Sequence, residues 1–384
     1  MDYVSGLEKF LEGGYAIVKG NKVGLVTNHT GLNRYLKNNI DLFFDHSDIN
    51  LTALFSPEHG IRGNVEDAIK INDSIDFYTK LPIYSLYGRY EKPTPIMLED
   101  IDILIYDIQD IGVRFYTYIS TLFYCLESCA ENSISFIVLD RLNPIGRKVE
   151  GNLMQPNFQS FFGLYPLPQR HGMTVGELSK WVNSEFNIGA ELEVFKIRGW
   201  HGEYFDQMEE LLWIPPSPNI PHFKTALVYP ITCLFEGTNI SEGRGTANPF
   251  EYIGAPWIDP FKLNEYMKEK ALAGILFRPV FFVPTFCKYK GIECGGVQVL
   301  IKDRDKLDSY LTGLTLLRAI LYLYPNEKIW LEPSKGDKYF FDLLMGTDQV
   351  RKDLNKGKEP IDIINSWQKD KEQFMSVQRK YLMY

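Results

Sequence analysis

The 384-residue chain has only five cysteines and six histidines, with no CxxC and no Cys/His cluster. Cys125 and Cys129 stand four apart on an apolar stretch, while Cys233, Cys287 and Cys294 are scattered. Neither a zinc site nor a disulfide framework is indicated, and buried free thiols are expected. No apolar run approaches the roughly 18–20 residues of a membrane span. Cations are also in deficit: 41 Lys and Arg against 49 Asp and Glu leave a net charge of −8, which argues against nucleic acid as a partner. GxGxxG and GxxxxGK[ST] are both missing, which disfavours dinucleotide and nucleotide binding. Without GxSxG or HExxH, serine-hydrolase and zincin chemistry have no support. No metal and no cofactor is expected. The first ten residues lack a basic segment followed by an apolar one, so no signal peptide is visible. A removed leader would place the protein outside the cell or in the periplasm, and otherwise it is cytoplasmic. The odd cysteine count leans toward a reduced compartment, and the oligomeric state is left open.

Hydrophobic residues (45%) and charged residues (23%) are in ordinary proportion, and the length suffices for two or three domains. Aromatic residues are the surplus, at 23 Tyr, 25 Phe and 6 Trp. Most of these rings serve packing, with some left to line a cleft for a flat ligand such as a sugar. Short apolar runs at 22–28, 51–55, 82–86, 101–107 and 134–140 alternate with helical segments at 4–11, 35–45 and 117–132. That is the pattern of a parallel α/β sheet covered on both faces. Ligands of such sheets sit beyond the carboxyl ends of the strands. Here those ends carry Asn28-His29, Ser56-Pro-Glu58-His59, Asp107-Ile-Gln-Asp110 and Asp140-Arg141-Leu-Asn143, so four strands deliver polar groups to one rim.

The stretch from 151 to 221 is proline-rich and reads as loop, apart from a helix at 174–186 announced by Thr174 and Glu177 as a capping box. Beyond a boundary near 225, helices are expected at 261–271 and 306–322 and strands at 277–284 and 295–301. A mainly helical tail follows, with Phe374, Tyr381 and Leu382 on one face. The division is therefore 1–225, a Rossmann-like domain, and 226–384, a second α/β domain.

Four constellations can carry chemistry. Ser56-Pro-Glu-His-Gly-Ile-Arg-Gly63 sets Glu58, His59 and Arg62 on a turn at a strand end. A glutamate there can act as a general acid and the arginine can bind an anion, the alternative being a Glu–Arg pair that braces the loop. Asp107 to Tyr118 supplies Asp110, Arg114, Tyr116 and Tyr118, groups suited to a polyhydroxylated ligand or to a loop network. Arg170-His171 and Asn219-Ile-Pro221 are polar loops in which His171 is a candidate ligand-binding imidazole or a plain hydrogen-bonding residue. Glu236, Asn239, Glu242 and Arg244 lie within nine residues of a glycine-rich segment. Paired carboxylates flanking a substrate are what glycoside hydrolysis requires.

Together these motifs resemble the NamZ-type exo-β-N-acetylmuramidases, a glycoside hydrolase family formerly known as a domain of unknown function. The matching stretches include Gly24-Leu-Val-Thr-Asn28, the 56–63 turn, Asp107 to Asp110, Arg114 to Tyr118 and Leu139-Asp-Arg-Leu-Asn-Pro144. They continue through Pro166 to Thr174, Pro216 to Pro221, Leu234 to Thr246 and Arg379 to Tyr384. Leu142 and Arg147 depart from the Pro and Gly expected there. The resemblance implies a Rossmann-like domain joined to a smaller C-terminal α/β domain with the cleft between them. It also implies release of terminal N-acetylmuramic acid from peptidoglycan-derived saccharides of the MurNAc-GlcNAc type. By the same resemblance Glu58 is the catalytic acid, and His59 is placed to tune it. Glu242, or Asp110, would activate water or stabilise the transition state. Arg62, Arg114 or Arg244 would meet the lactyl carboxylate, while Asn28, Tyr116, Tyr118, His171, Asn219, Glu236 and Asn239 complete the candidate binding set. A non-catalytic muropeptide-binding protein on the same scaffold is the alternative, and a nucleotide-sugar enzyme is disfavoured by the missing glycine fingerprint.

Overall fold

A computed structural model describes residues 3–63, 73–333 and 336–384. Six strands arise in the first half: β1 (Lys22–Thr27), β2 (Asn50–Ser56), β3 (Ser74–Ile75), β4 (Pro82–Ser85), β5 (Ile103–Asp107) and β6 (Ser135–Leu139). Next come a short hairpin of β7 (Glu150–Leu153) and β8 (Pro168–Arg170), then β9 (Leu192–Phe195). Seven of these make one sheet, ordered β3-β4-β2-β1-β5-β6-β9 and parallel except for β3. Every residue of β5, and all of β1 after Lys22, is buried. Such strands need cover on both faces. One face packs Leu7, Phe10, Leu25, Phe43 and Ile105. On the other face Val26, Tyr106 and Val138 enter a much larger core. The order reverses between β1 and β5, since β2 lies to one side of β1 and β5 to the other.

The helices of this half are α1 (Gly6–Leu11), α2 (Asn39–Phe44), α3 (Pro95–Leu98), α4 (Tyr118–Asn132) and α5 (Val175–Glu185). The Thr174–Glu177 capping box opens α5 as the sequence predicts. The helix expected from Tyr35 starts later. Asn33 Oδ1 accepts from the Tyr35 and Lys37 amides (3.0 and 2.9 Å), closing a turn, and Asn38 then caps α2. The expected loop region holds most of β7, β8 and β9, all short; β7 and β8 are almost wholly buried, whereas in β9 only Val194 is.

After the prolines come α6 (Phe223–Thr232), β10 (Tyr252–Ala255), α7 (Pro260–Glu269), β11 (Ile275–Phe282), β12 (Cys294–Ile301) and α8 (Ser309–Leu323). The strands form an antiparallel sheet ordered β10-β12-β11. Helix α8 crosses α6 so closely that a Cβ on Gly313 would lie 2.4 Å from the Ile231 carbonyl oxygen. The tail is helical, as expected: α9 (Phe340–Met345), then α10 (Gln349–Asn355), α11 (Pro360–Asn365) and α12 (Gln368–Gln378). Phe374 is buried and Tyr381 and Leu382 pack beside it. One continuous core runs from β5, β6, α4 and α5 into α6, α8 and α9, so the two sheets share their interior.

The chain then returns to the first sheet. The Tyr384 hydroxyl donates to Asp140 Oδ2 (2.6 Å) and accepts from the Ile197 amide (3.1 Å). Burial pushes the Asp140 carboxyl up to about 7, against the lowering effect of the Tyr384 bond. Arg147 pairs with Glu177 and lies 4.6 Å over the Trp200 ring, which gives the unexpected arginine of that loop a packing role.

Candidate active site

A cleft of about 390 Å³ is lined from both sheets. On the first side, the turn after β2 carries Glu58 and His59. His59 (φ 70°) and Gly60 (φ 79°) are both left-handed, a conformation that is strained for histidine. The Gly60 amide donates to the Pro57 carbonyl (3.2 Å), closing the turn. Glu58 is half-buried, and its Oε2 accepts from Thr117 Oγ1 at 2.6 Å, a short hydrogen bond. Thr117 is the residue before α4, so the loop after β5 fixes the glutamate carried by β2. His59 is buried and meets the Tyr118 ring edge-on at 6.4 Å.

The second side comes from the glycine-rich segment. Glu242 is buried, and Lys288 Nζ donates to its Oε2 at 2.8 Å. Arg244 pairs with Glu236 Oε1 at 2.9 Å, with its Nε 3.6 Å from Glu242 Oε1. Burial acts to raise the Glu242 carboxyl, but Lys288 and Arg244 outweigh it and hold the group below the usual carboxylate range. Glu242 is therefore a charged carboxylate inside the cleft. Lys288 also donates to the carbonyls of Phe235 (2.8 Å), Ile240 (3.0 Å) and Glu236 (3.3 Å), which pins the loop that carries the acids.

A chain of edge-to-face rings joins the two sides: Tyr118 to Tyr116 (4.9 Å), Tyr116 to Tyr229 (5.9 Å) and Tyr229 to Phe250 (4.6 Å). Phe250 in turn carries the Arg244 guanidinium at 5.2 Å. The proline-rich segment adds Ser217 and Asn219, and its Pro216 carbonyl accepts from the Tyr118 hydroxyl (2.7 Å).

Of the residues singled out from sequence, Glu58, His59, Tyr116, Tyr118, Asn219, Glu236, Glu242 and Arg244 line this cleft. The others have different surroundings. Arg62 pairs with Asp76 at 2.9 Å. Arg114 is wholly buried and donates to the carbonyls of Asn152 (3.0 Å), Leu167 (2.6 Å) and Leu344 (2.9 Å), tying loops of the first half to α9. Burial lowers its pKa to about 10, which leaves it charged at neutral pH. Arg170 is likewise consumed by Glu150 at 2.8 Å. Asn28 turns its Oδ1 to the Thr30 amide (2.9 Å), and Asn239 holds the Ile329 carbonyl through its backbone (2.7 Å). His171 is fully buried, its Nε2 3.7 Å from Asp110 Oδ2, and Asp110 accepts from the Gly112 amide (2.6 Å). These groups build the interior and the rim loops. Thr117 and Lys288 are polar cleft residues that escaped sequence reasoning, as did the rings of Tyr229 and Phe250. Thr117 sits inside a motif already recognised, and its hydroxyl was the available signal. Lys288 lies in a plain Cys-Lys-Tyr-Lys run and offered none. Among the described residues no group of three or more His, Cys, Asp or Glu is placed to hold a metal ion, and no helix is long and apolar enough to cross a membrane.

Two family models match the chain: exo-beta-N-acetylmuramidase NamZ, N-terminal, over residues 23–224, and its C-terminal counterpart over 227–384. The peptidoglycan beta-N-acetylmuramidase NamZ of Bacillus subtilis (strain 168) is 45% identical over 381 residues, covering 99% of this chain and 91% of that one. A crystal structure of a DUF1343 family protein from Bacteroides fragilis superposes with a TM-score of 0.91 at 37% identity, covering 100% of this chain and 99% of the other. A second DUF1343 structure from the same organism gives 0.75 at 32% identity with the same coverage.

Proposed function

This chain belongs to the NamZ exo-β-N-acetylmuramidase family, and from that premise we propose that it hydrolyses the bond joining a terminal N-acetylmuramic acid to the rest of a peptidoglycan fragment, with Glu58 as general acid. The observation that carries the reading is that, of the three carboxylates lining one cleft, two differ in character: Glu58 on a strained turn, anchored by Thr117, and Glu242 held charged by Lys288 and Arg244.

In this reading Glu58 gives its proton to the glycosidic oxygen as the C1–O bond breaks. The sugar develops positive charge, which the Glu242 carboxylate stabilises. Water adds its oxygen to C1 and gives up its proton, which returns to the Glu58 carboxylate directly or by way of Glu242 and solvent, and this closes the cycle. Arg244 and Lys288 are the cations within reach of a lactyl carboxylate. Arg62 and Arg114 are not used for this purpose, because neither lines the cleft, Arg62 pairing with Asp76 and Arg114 being wholly buried. The ring chain from Tyr118 to Phe250 offers an apolar face for the pyranose, and His59 stands beside Glu58 to adjust its hydrogen bonding.

The test is Glu58→Gln assayed on a chromogenic N-acetylmuramic acid glycoside, with digests of peptidoglycan fragments followed by mass spectrometry. A loss of about 10²- to 10⁴-fold in kcat is expected for a general acid. Near-full turnover by a folded variant removes Glu58 from the role. If the unaltered protein binds muropeptides and releases no product, the non-catalytic alternative replaces the hydrolase.

A further inference from the structure

A second cleft, of about 290 Å³, opens on the same rim of the parallel sheet. Its floor includes Thr30, which follows β1, and Gln109, which follows β5. It therefore lies where the strand order reverses, the crevice in which doubly wound sheets hold their ligands. The Gln109 amide donates to Thr30 Oγ1 at 3.0 Å, so the two strand-end loops are fastened to one another there.

The walls restrict what can bind. On one side the 33–37 turn presents Tyr35 and Leu36, 83% and 52% exposed, with Leu36 held at φ 59°. A leucine in the left-handed region is strained, and strain of this kind gathers at ligand sites. On the other side stand Leu212, 67% exposed, and Trp213. The cations beside the cleft are already engaged: Arg34 donates to Glu8 (2.6 Å), and Arg141 forms a two-pronged pair with Asp107 (2.5 and 3.0 Å). Glu210 adds a carboxylate to the lining. A phosphate or carboxylate ligand would find both of these arginines engaged and the Glu8 and Glu210 carboxylates beside it. A ring with an apolar face and uncharged hydroxyl and amide edges finds aromatic walls and a polar floor.

The two clefts share a partition. Segment 211–220 supplies Leu212 and Trp213 to the second cleft and Ser217 and Asn219 to the first. The partition is clamped from both sides, with the Pro215 carbonyl 2.7 Å from His29 Nε2 and the Pro216 carbonyl 2.7 Å from the Tyr118 hydroxyl. We propose that the second cleft is a saccharide subsite that takes a neutral N-acetylhexosamine ring of the glycan beyond the cleaved bond. The proposal rests on the hydrolase reading above, in which that glycan contains uncharged N-acetylglucosamine next to each muramic unit. Tyr35 and Trp213 are its stacking residues and Gln109 its polar contact.

The experiment compares a short chromogenic muramic glycoside with a muramic-terminated tetrasaccharide, using the full chain and the Tyr35→Ala and Trp213→Ala variants. Tyr35 is too exposed for its loss to unfold the protein, whereas Trp213 also packs on Phe205 and Phe223 (5.0 and 5.7 Å), so its melting is measured alongside. Loss of one stacking ring is expected to lower the ratio of kcat/KM on the long substrate to that on the short one by about tenfold. A ratio within about twofold of the parent in Tyr35→Ala overturns the proposal. A second arm needs no turnover: tetra-N-acetylchitotetraose is titrated calorimetrically into Glu58→Gln, with and without Tyr35→Ala. Binding weakened about tenfold by Tyr35→Ala supports the subsite, and absence of binding overturns it. If the parent hydrolyses neither substrate, the hydrolase reading falls while this second arm still decides the cleft.

Discussion

Lys288→Met removes one ammonium and keeps most of the apolar stem, so it isolates what the charge does. At 2.8 Å from Glu242 Oε2, the bare attraction at an effective dielectric of 20 is about 6 kcal/mol. Three corrections reduce it. The Lys288 side chain is 21% exposed, both ions lost hydration to reach this position, and Arg244 remains 3.6 Å from the other Glu242 oxygen. Removing one member of a buried pair costs about 3–5 kcal/mol, and with Arg244 still present the lower end, about 3 kcal/mol, is expected. Urea denaturation at pH 7 reads it directly. The pH dependence supplies a second signature. Glu242 titrates below its unfolded value, so its contribution is present above about pH 4.5 and is lost as pH falls through the folded pKa. Without Lys288 the folded pKa rises toward the unfolded value, so the acid loss of stability becomes smaller and is complete at a higher pH. Catalysis follows the same logic, because a Glu242 that titrates closer to neutral moves the acidic limb of kcat/KM upward. A loss below about 0.5 kcal/mol together with an unmoved acidic limb would refute the account of Glu242 as a carboxylate kept charged by its cations.

Thr117→Val deletes the 2.6 Å bond to Glu58. A roughly tenfold fall in kcat is expected for a hydrogen bond to a catalytic carboxyl, with recovery in Thr117→Ser and little change in melting. Tyr384→Phe removes the donor to Asp140. Asp140 already titrates above its unfolded value of 3.8, at about 7, so its contribution to stability is full below that value and declines as pH rises through 7. Losing the hydroxyl raises the folded pKa further, so Tyr384→Phe costs about 1–3 kcal/mol near pH 8 and clearly less near pH 5. Urea titrations at the two pH values check the difference.

Strands β1, β2, β5 and β6 were legible because a strand buried on both faces must be apolar throughout, and helix α5 because its cap is written in two residues. β9 was not, since Leu192-Glu-Val-Phe195 is four residues long and only Val194 is buried. Helix α6 follows a proline cluster and contains Pro230, which hides its periodicity. The site divides along the same line. Residue types named the cleft acids, but they could not say which arginine reaches the cleft. Arg114 and Arg244 look alike in sequence. Only the fold shows that one spends its donors on carbonyls as far away as Leu344, while the other stays at the cleft beside Glu236. Lys288 shows the converse, a group whose importance arises entirely from where an antiparallel sheet returns it.

The interior shared by the two sheets has one more consequence. Swinging the cleft walls apart would tear a single core and break the Arg114 bonds that reach Leu344. The cleft is thus a socket of fixed width and not a jaw.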